Sequence, residues 1–92
     1  MRYVWDPAKD VLNRRRHGLS LPDGIPALED PERDDWIDNR FDYGEERIVT
    51  LGMGQRQVLY VVSTERDEDC IRIISVRRAE EDEIKRYDLS RT

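Results

Sequence analysis

C-I-R-I-I-S-V-R-R-A, residues 70–79, is a β-branched run with arginines set into it. Valine and isoleucine at this density suit a pleated, packed surface, so the stretch reads as a central strand. Alternation sends Ile71, Ile73 and Ser75 to one face and Arg72, Ile74 and Val76 to the other. It also sends Arg72 and Arg77 to opposite faces, unless the strand ends or bulges near Ser75. A buried guanidinium without a partner is costly. Arg72 therefore either pairs with a carboxylate or faces a groove where an anion sits.

Upstream of this strand the hydrophobic period is already two. Arg47, Val49 and Leu51 alternate with Ile48 and Thr50, the glycine-containing stretch 52–55 makes a turn, and residues 56–64 form a second strand centred on V-L-Y-V-V. A charged turn over 65–69 follows. Three strands joined by short turns make an antiparallel meander. Downstream, residues 79–89 close the chain as a helix. Glu80, Glu81 and Asp82 favour its amino end through the helix dipole, and Glu81 with Lys85 and Asp82 with Arg86 are spaced as i,i+4 pairs. Ala79, Glu83 and Tyr87 share one stripe, with Ile84 beside it.

Toward the amino terminus, residues 2–5 make a short edge or lead-in strand. Asp6 followed by Pro7 starts a helix, because aspartate accepts from open N–H groups and proline at the first position forfeits no bond. On the helical period Ala8, Val11, Leu12 and Leu19 gather on one face with Arg15 among them, and Lys9, Asn13, Arg16 and His17 on another. Gly18 is placed to end the helix in the left-handed conformation. Ser20 and Asp23 repeat a capping signal, but Gly24 and Pro26 allow only one or two irregular turns. An acidic, proline-containing loop over 29–35 precedes a poorly patterned strand involving Trp36, Ile37 and Phe41. Helices at both ends of a meander give an α+β class in a single domain, 1–92.

With 92 residues, 37% apolar and 40% charged, the chain has room for one lean core. No apolar run approaches the roughly 18 residues of a membrane span. The start M-R-Y-V-W-D-P has no signal-peptide core, and the lone Cys70 excludes an internal disulfide, so the chain reads as cytoplasmic. A net charge of −5 argues at first against a nucleic-acid ligand, yet the acidity is local. Residues 1–21 carry +3, residues 22–46 carry −8, and residues 47–92 balance. Two neutral-to-basic segments can thus still converge on a phosphate.

W-D-P-A-K (5–9), N-R-R-R-H-G-L-S (13–20), E-E-R (45–47), Gly52 and R-I-I-S-V-R-R-A (72–79), followed by Glu83 and Tyr87, resemble the BrnT family in collinear order over nearly the whole chain. That family supplies the toxin of bacterial type II toxin–antitoxin pairs. The resemblance implies a RelE-like α+β fold and an endoribonuclease that needs no metal or other cofactor. It also implies a BrnA-like antitoxin with a ribbon-helix-helix domain, through which the complex reaches operator DNA. Arg16 stands where the family usually has lysine, which keeps the charge but substitutes a fork that does not readily give up a proton. Leu21 stands where an aromatic is common, and Gly24 with Pro26 interrupts what is usually a cleaner second helix.

Cutting RNA without a metal asks for a base at the 2′-hydroxyl, cations at the phosphate and an acid at the leaving 5′-oxygen. Arg72 and Arg77 are the leading phosphate ligands, since planar forks match phosphate oxygens in pairs; the alternative is an ion pair with a carboxylate such as Glu83. Arg47 either points into the same groove or is an edge cation facing the acidic 29–46 segment. His17 suits a general acid or base, histidine being the side chain that changes charge near neutrality, or it serves as a favourable helix terminus. Lys9 and Arg16 are backbone-phosphate contacts or solvated cations, and Arg78 reads as solvated. Tyr87 is a catalytic hydroxyl or a core aromatic. Ser75 lacks triad partners, and one His with one Cys makes no zinc site.

Three functions stay open at this point: an RNA-cleaving toxin, a binding module that engages antitoxin or RNA without cutting, and a structural partner using the acidic 22–46 segment against a basic surface.

Overall fold

The computed structural model describes residues 1–40 and 42–91. In chain order it runs β1 (Arg2–Val4), α1 (Pro7–His17), a 3-10 turn (Leu21–Gly24), α2 (Ile25–Leu28), β2 (Asp34–Ile37), β3 (Ile48–Gly54), β4 (Gln57–Asp67), β5 (Cys70–Arg78) and α3 (Glu81–Ser90). Trp36 and Ile37 lie in β2, and Phe41 falls outside the described residues. No helix among the described residues is long and apolar enough to cross a membrane.

The strands form one sheet in the order β1-β5-β4-β3-β2. β2 through β5 are antiparallel neighbours, whereas β1 pairs with β5 in parallel, Tyr3 opposite Ile71. The sheet is therefore mixed, and the purely antiparallel meander read from the sequence is corrected on this point. β4 takes one edge of β5 and leaves the other open, and a segment from the far end of the chain fills part of it. The α+β class stands, with β4 in the middle of the sheet and β5 beside it.

The open remainder of that edge explains α1. Its caps are those the sequence called for: the Asp6 side chain accepts from Ala8 N, Pro7 opens the helix, and Gly18 at φ 70° closes it. Its inward face is not. Val11 and Leu12 are 42% and 46% exposed, and Asn13 is the buried residue. The Asn13 amide donates to the Val76 carbonyl (2.9 Å) and to Leu19 O (2.7 Å), and its Oδ1 accepts from Val76 N (3.0 Å). A carboxamide thus replaces the missing strand neighbour. Leaving those buried backbone groups bare would cost about 1–3 kcal/mol each, a loss on the scale of what burying Val11 and Leu12 would return. Arg78 adds a second tie, its Nη1 donating to His17 O at 2.9 Å, so it is not simply solvated.

Packing divides into two clusters, one on each face. Leu19, Leu21 and Ala27 cover Leu59, Val61, Ile73 and Val76. Tyr87 of α3 joins Val49, Leu51, Val58, Tyr60 and Val62 on the other face, with Trp36, Ile74 and Ala79 against them. The Ser20/Asp23 capping box holds the 3-10 turn, as the irregular turns expected there. α2 presses on β3 so closely that a Cβ on Gly52 would lie 2.2 Å from Ala27 O. Gly52 is consequently a strand residue. The hairpin turns instead at Gln55 and Arg56, both at positive φ (52° and 65°), which shifts the turn predicted over 52–55.

Register decides where the β5 arginines point. Val62 pairs with Ser75 but Ser63 pairs with Ile73, so Ile74 is an extra, bulged residue. Beyond it the alternation flips. Arg72 sits opposite Thr64 and Arg77 opposite Tyr60, four residues apart on β4, which puts both arginines on the α3 side of the sheet.

Candidate functional site

On that face, beyond the part covered by α3, lies an open concavity of about 360 Å³. α1 contributes Lys9, Leu12, Asn13, Arg16 and His17; the connection between β2 and β3 contributes Asp38, Arg40, Tyr43 and Arg47; Val62, Ile74 and Ser75 form the floor. The Asn13 clamp fixes the helix, so its polar stripe of Lys9, Arg16 and His17 is turned over the sheet. Four fixed cations and His17 face one carboxylate, that of Asp38. Such a site favours an anion.

The β2–β3 connection is held from within. Asp38 N donates to Arg47 O at 2.8 Å. Its side chain, nearly buried, accepts from Arg40 Nε (2.9 Å), Arg40 Nη2 (3.1 Å) and Tyr43 Oη (3.2 Å). Those bonds, Arg40's first, outweigh the cost of burial and pull its carboxyl down to about 2, so it stays ionised. Arg47 stacks on Tyr43, its Cζ 3.9 Å from the ring centroid, and its Nη2 lies 3.5 Å from Glu45 Oε1. Arg72 reaches the same Glu45 oxygen through Nη2 at 2.6 Å.

Of the seven residues singled out in the sequence, Lys9, Arg16, His17 and Arg47 are brought together here. Arg72 adjoins them through Glu45. Arg77 and Tyr87 are not brought to the concavity. Arg77 takes the carboxylate alternative: Nη1 and Nη2 meet Glu83 Oε1 and Oε2, each at 2.8 Å, and the guanidinium lies 3.8 Å from the Tyr60 ring centroid. Glu83, held low chiefly by Arg77, also caps α3 by accepting from Glu80 N. Tyr87 takes the core alternative. It is 2% exposed, its hydroxyl donates to Asp30 Oδ2 at 2.5 Å, and burial with that bond pushes its pKa up to about 12.

The acidic segment is not a free acidic surface. Glu29 accepts from Tyr3, Asp34 from Arg86, Asp35 from Thr50, Glu32 from Arg91, and Asp30, Asp38 and Glu45 as described. Arg86 chooses Asp34 at 2.7 Å over the predicted Asp82 and stacks on Trp36. Asp38, Arg40 and Tyr43 were missed in the sequence. The available signal was a lone arginine and a tyrosine inside an otherwise acidic run, a combination that reads as loop until its partners are known.

A small α+β protein with helices on both faces of a mixed sheet and a basic concavity at its edge is the class this architecture defines. The chain belongs to a family described as "Ribonuclease toxin, BrnT, of type II toxin-antitoxin system", whose model matches residues 5–83. Among solved structures it is similar to the Brucella abortus ribonuclease toxin BrnT, at a TM-score of 0.64 and 20% identity over 88% of this chain and 99% of that one. That likeness shows the fold. No curated protein matches the chain. A type II family has an antitoxin partner.

Proposed function

We propose that this chain is a growth-inhibiting endoribonuclease, working in the cytoplasm without a metal, whose substrate phosphate binds between α1 and the β2–β3 connection. The single observation behind this is the convergence of Lys9, Arg16, His17, Arg40 and Arg47 on one concavity from two separate elements. In this reading His17 takes the proton of a 2′-hydroxyl, the 2′-oxygen bonds to phosphorus, and the bond to the 5′-oxygen breaks. The leaving oxygen is protonated from solvent in the open site. Arg16, Arg40 and Arg47 stabilise the charge gathering on the phosphoryl oxygens, and Lys9 holds a neighbouring phosphate. Arg77 and Tyr87 position the scaffold instead of touching RNA. A BrnA-like antitoxin with a ribbon-helix-helix domain neutralises the toxin and carries the pair to operator DNA.

One observation favours the second reading, a module that engages RNA or antitoxin without cutting: Arg72 and Arg77 already hold carboxylates. Expression with and without the neighbouring reading frame, together with cleavage of total RNA in EDTA, separates the two. His17→Ala is expected to slow cleavage roughly 10²–10⁴-fold while leaving the fold intact. Wild-type protein that binds RNA but never cuts it, and arrests no growth, establishes the binding module.

A further inference from the structure

Glu45 holds two arginines with one oxygen. Arg72 Nη2 is 2.6 Å and Arg47 Nη2 3.5 Å from Glu45 Oε1, so two guanidinium charges share one carboxylate. The Nε atoms of both arginines are buried without a hydrogen-bond partner among the described residues. An arginine offers five N–H donors in a planar fork, and buried donors are nearly always used. Arg40 and Arg77 obey that rule, each presenting a fork to both oxygens of a carboxylate, Asp38 and Glu83. The Arg47–Arg72 pair does not, and holds less anion than its charge calls for. Arg47 also lines the concavity, so the under-filled pair is continuous with it. Gly44, at φ 71° with its N–H on Asp42 Oδ1, turns the chain so that Glu45 is delivered to the pair.

We propose that Arg47 and Arg72 form a second phosphate subsite, next to the concavity, which Glu45 occupies in the unbound protein and an RNA phosphodiester takes over on binding. A phosphodiester presents two non-bridging oxygens where Glu45 supplies one, and so matches both Nη2 groups together. Glu45 is then an internal competitor that weakens binding until the adjoining phosphate is already seated. The inference rests on the RNA reading above for the identity of the ligand, and on geometry alone for the presence of an anion site.

The test is Glu45→Gln, which keeps the shape and removes the charge, probed with a 2′-O-methyl oligonucleotide that cannot be cut and, separately, with inorganic phosphate. Expected is an affinity for the oligonucleotide about 10-fold higher than wild type, since no internal carboxylate has to be displaced. Phosphate should raise the Tm of the variant more than that of wild type, and adding Arg72→Gln should abolish both gains. Glu45→Asp, charged but one methylene short, should fall between. A larger phosphate effect on Glu45→Gln with no oligonucleotide binding by either protein upholds the anion subsite and removes RNA as its ligand. Affinity unchanged or weakened in Glu45→Gln, or a lowered Tm that phosphate does not restore, makes Glu45 a plain structural partner and overturns the proposal.

Discussion

At one end of the α3 side of the sheet, Arg77 spends both Nη groups on Glu83 and lies flat on Tyr60; at the other, Arg72 reaches a single oxygen of Glu45 that Arg47 also approaches. Both arginines leave the same strand on the same face, five residues apart, and in sequence they look alike. Their surroundings separate them. The Arg77 fork, matched oxygen for oxygen away from the concavity, is part of the scaffold, because its charge is already paired and removing it strands a carboxylate; Arg40, matched in the same way to Asp38, keeps a 60% exposed side chain on the concavity. A fork that shares its partner leaves positive charge over, and that surplus lies beside a concavity already rich in cations.

The largest effect that sharpens this contrast is on stability. Arg77→Ala leaves Glu83, half-enclosed and held by two charge-assisted bonds, without its partner and removes the stack on Tyr60, at a cost of about 2–3 kcal/mol. Arg47→Ala also removes a stack, on Tyr43, but its carboxylate contact is long and Arg72 keeps Glu45 paired, so it should cost less, about 1 kcal/mol. Urea midpoints measure both. RNA cleavage per folded molecule should show the reverse order, hardly changed in Arg77→Ala and depressed in Arg47→Ala. Equal losses of stability in the two variants would erase the distinction between scaffold and site.

A smaller effect concerns pH. The Asp38 carboxyl, clamped first by Arg40, titrates at about 2 in the folded chain, against roughly 3.9 for a free aspartate. A depressed carboxyl stabilises the fold fully above the unfolded value and loses that contribution as pH falls through the folded one. Asp38→Asn should therefore be less stable than wild type at pH 7, and the gap should close between about pH 4 and pH 2. A gap of constant size across that range would mean that the clamp on the β2–β3 connection does not depend on the Asp38 charge.

Much of the framework was legible because it is local. Asp6, Pro7 and Gly18 mark the ends of α1 within eleven residues of helix, and β3, β4 and β5 declare themselves by their period. What escaped depends on partners far away in the chain. The inward face of α1 is set by Val76, 63 residues from Asn13, and no periodicity within the helix contains that edge. The bulge at Ile74 exists only relative to the pairing with β4, so the common face of Arg72 and Arg77 is invisible in the 70–79 stretch itself. The acids of the 22–46 segment read as one surface open to a basic partner because their cations, such as Arg86 for Asp34 and Arg91 for Glu32, come from 52 and 59 residues downstream. His17, Lys9 and Arg16 were legible as one stripe, and Arg40 and Tyr43 were not, for the same reason.

In the proposed function the cations of the concavity meet RNA while the Arg77 pair holds the fold. Arginine Nε–H resonances, followed by NMR as an uncleavable oligonucleotide is titrated in, address it residue by residue. The signals of Arg16, Arg40 and Arg47 should move with a common affinity and that of Arg77 should stay where it is. Movement of Arg77 with the other three unaffected would put the RNA on the opposite end of the face and contradict that function.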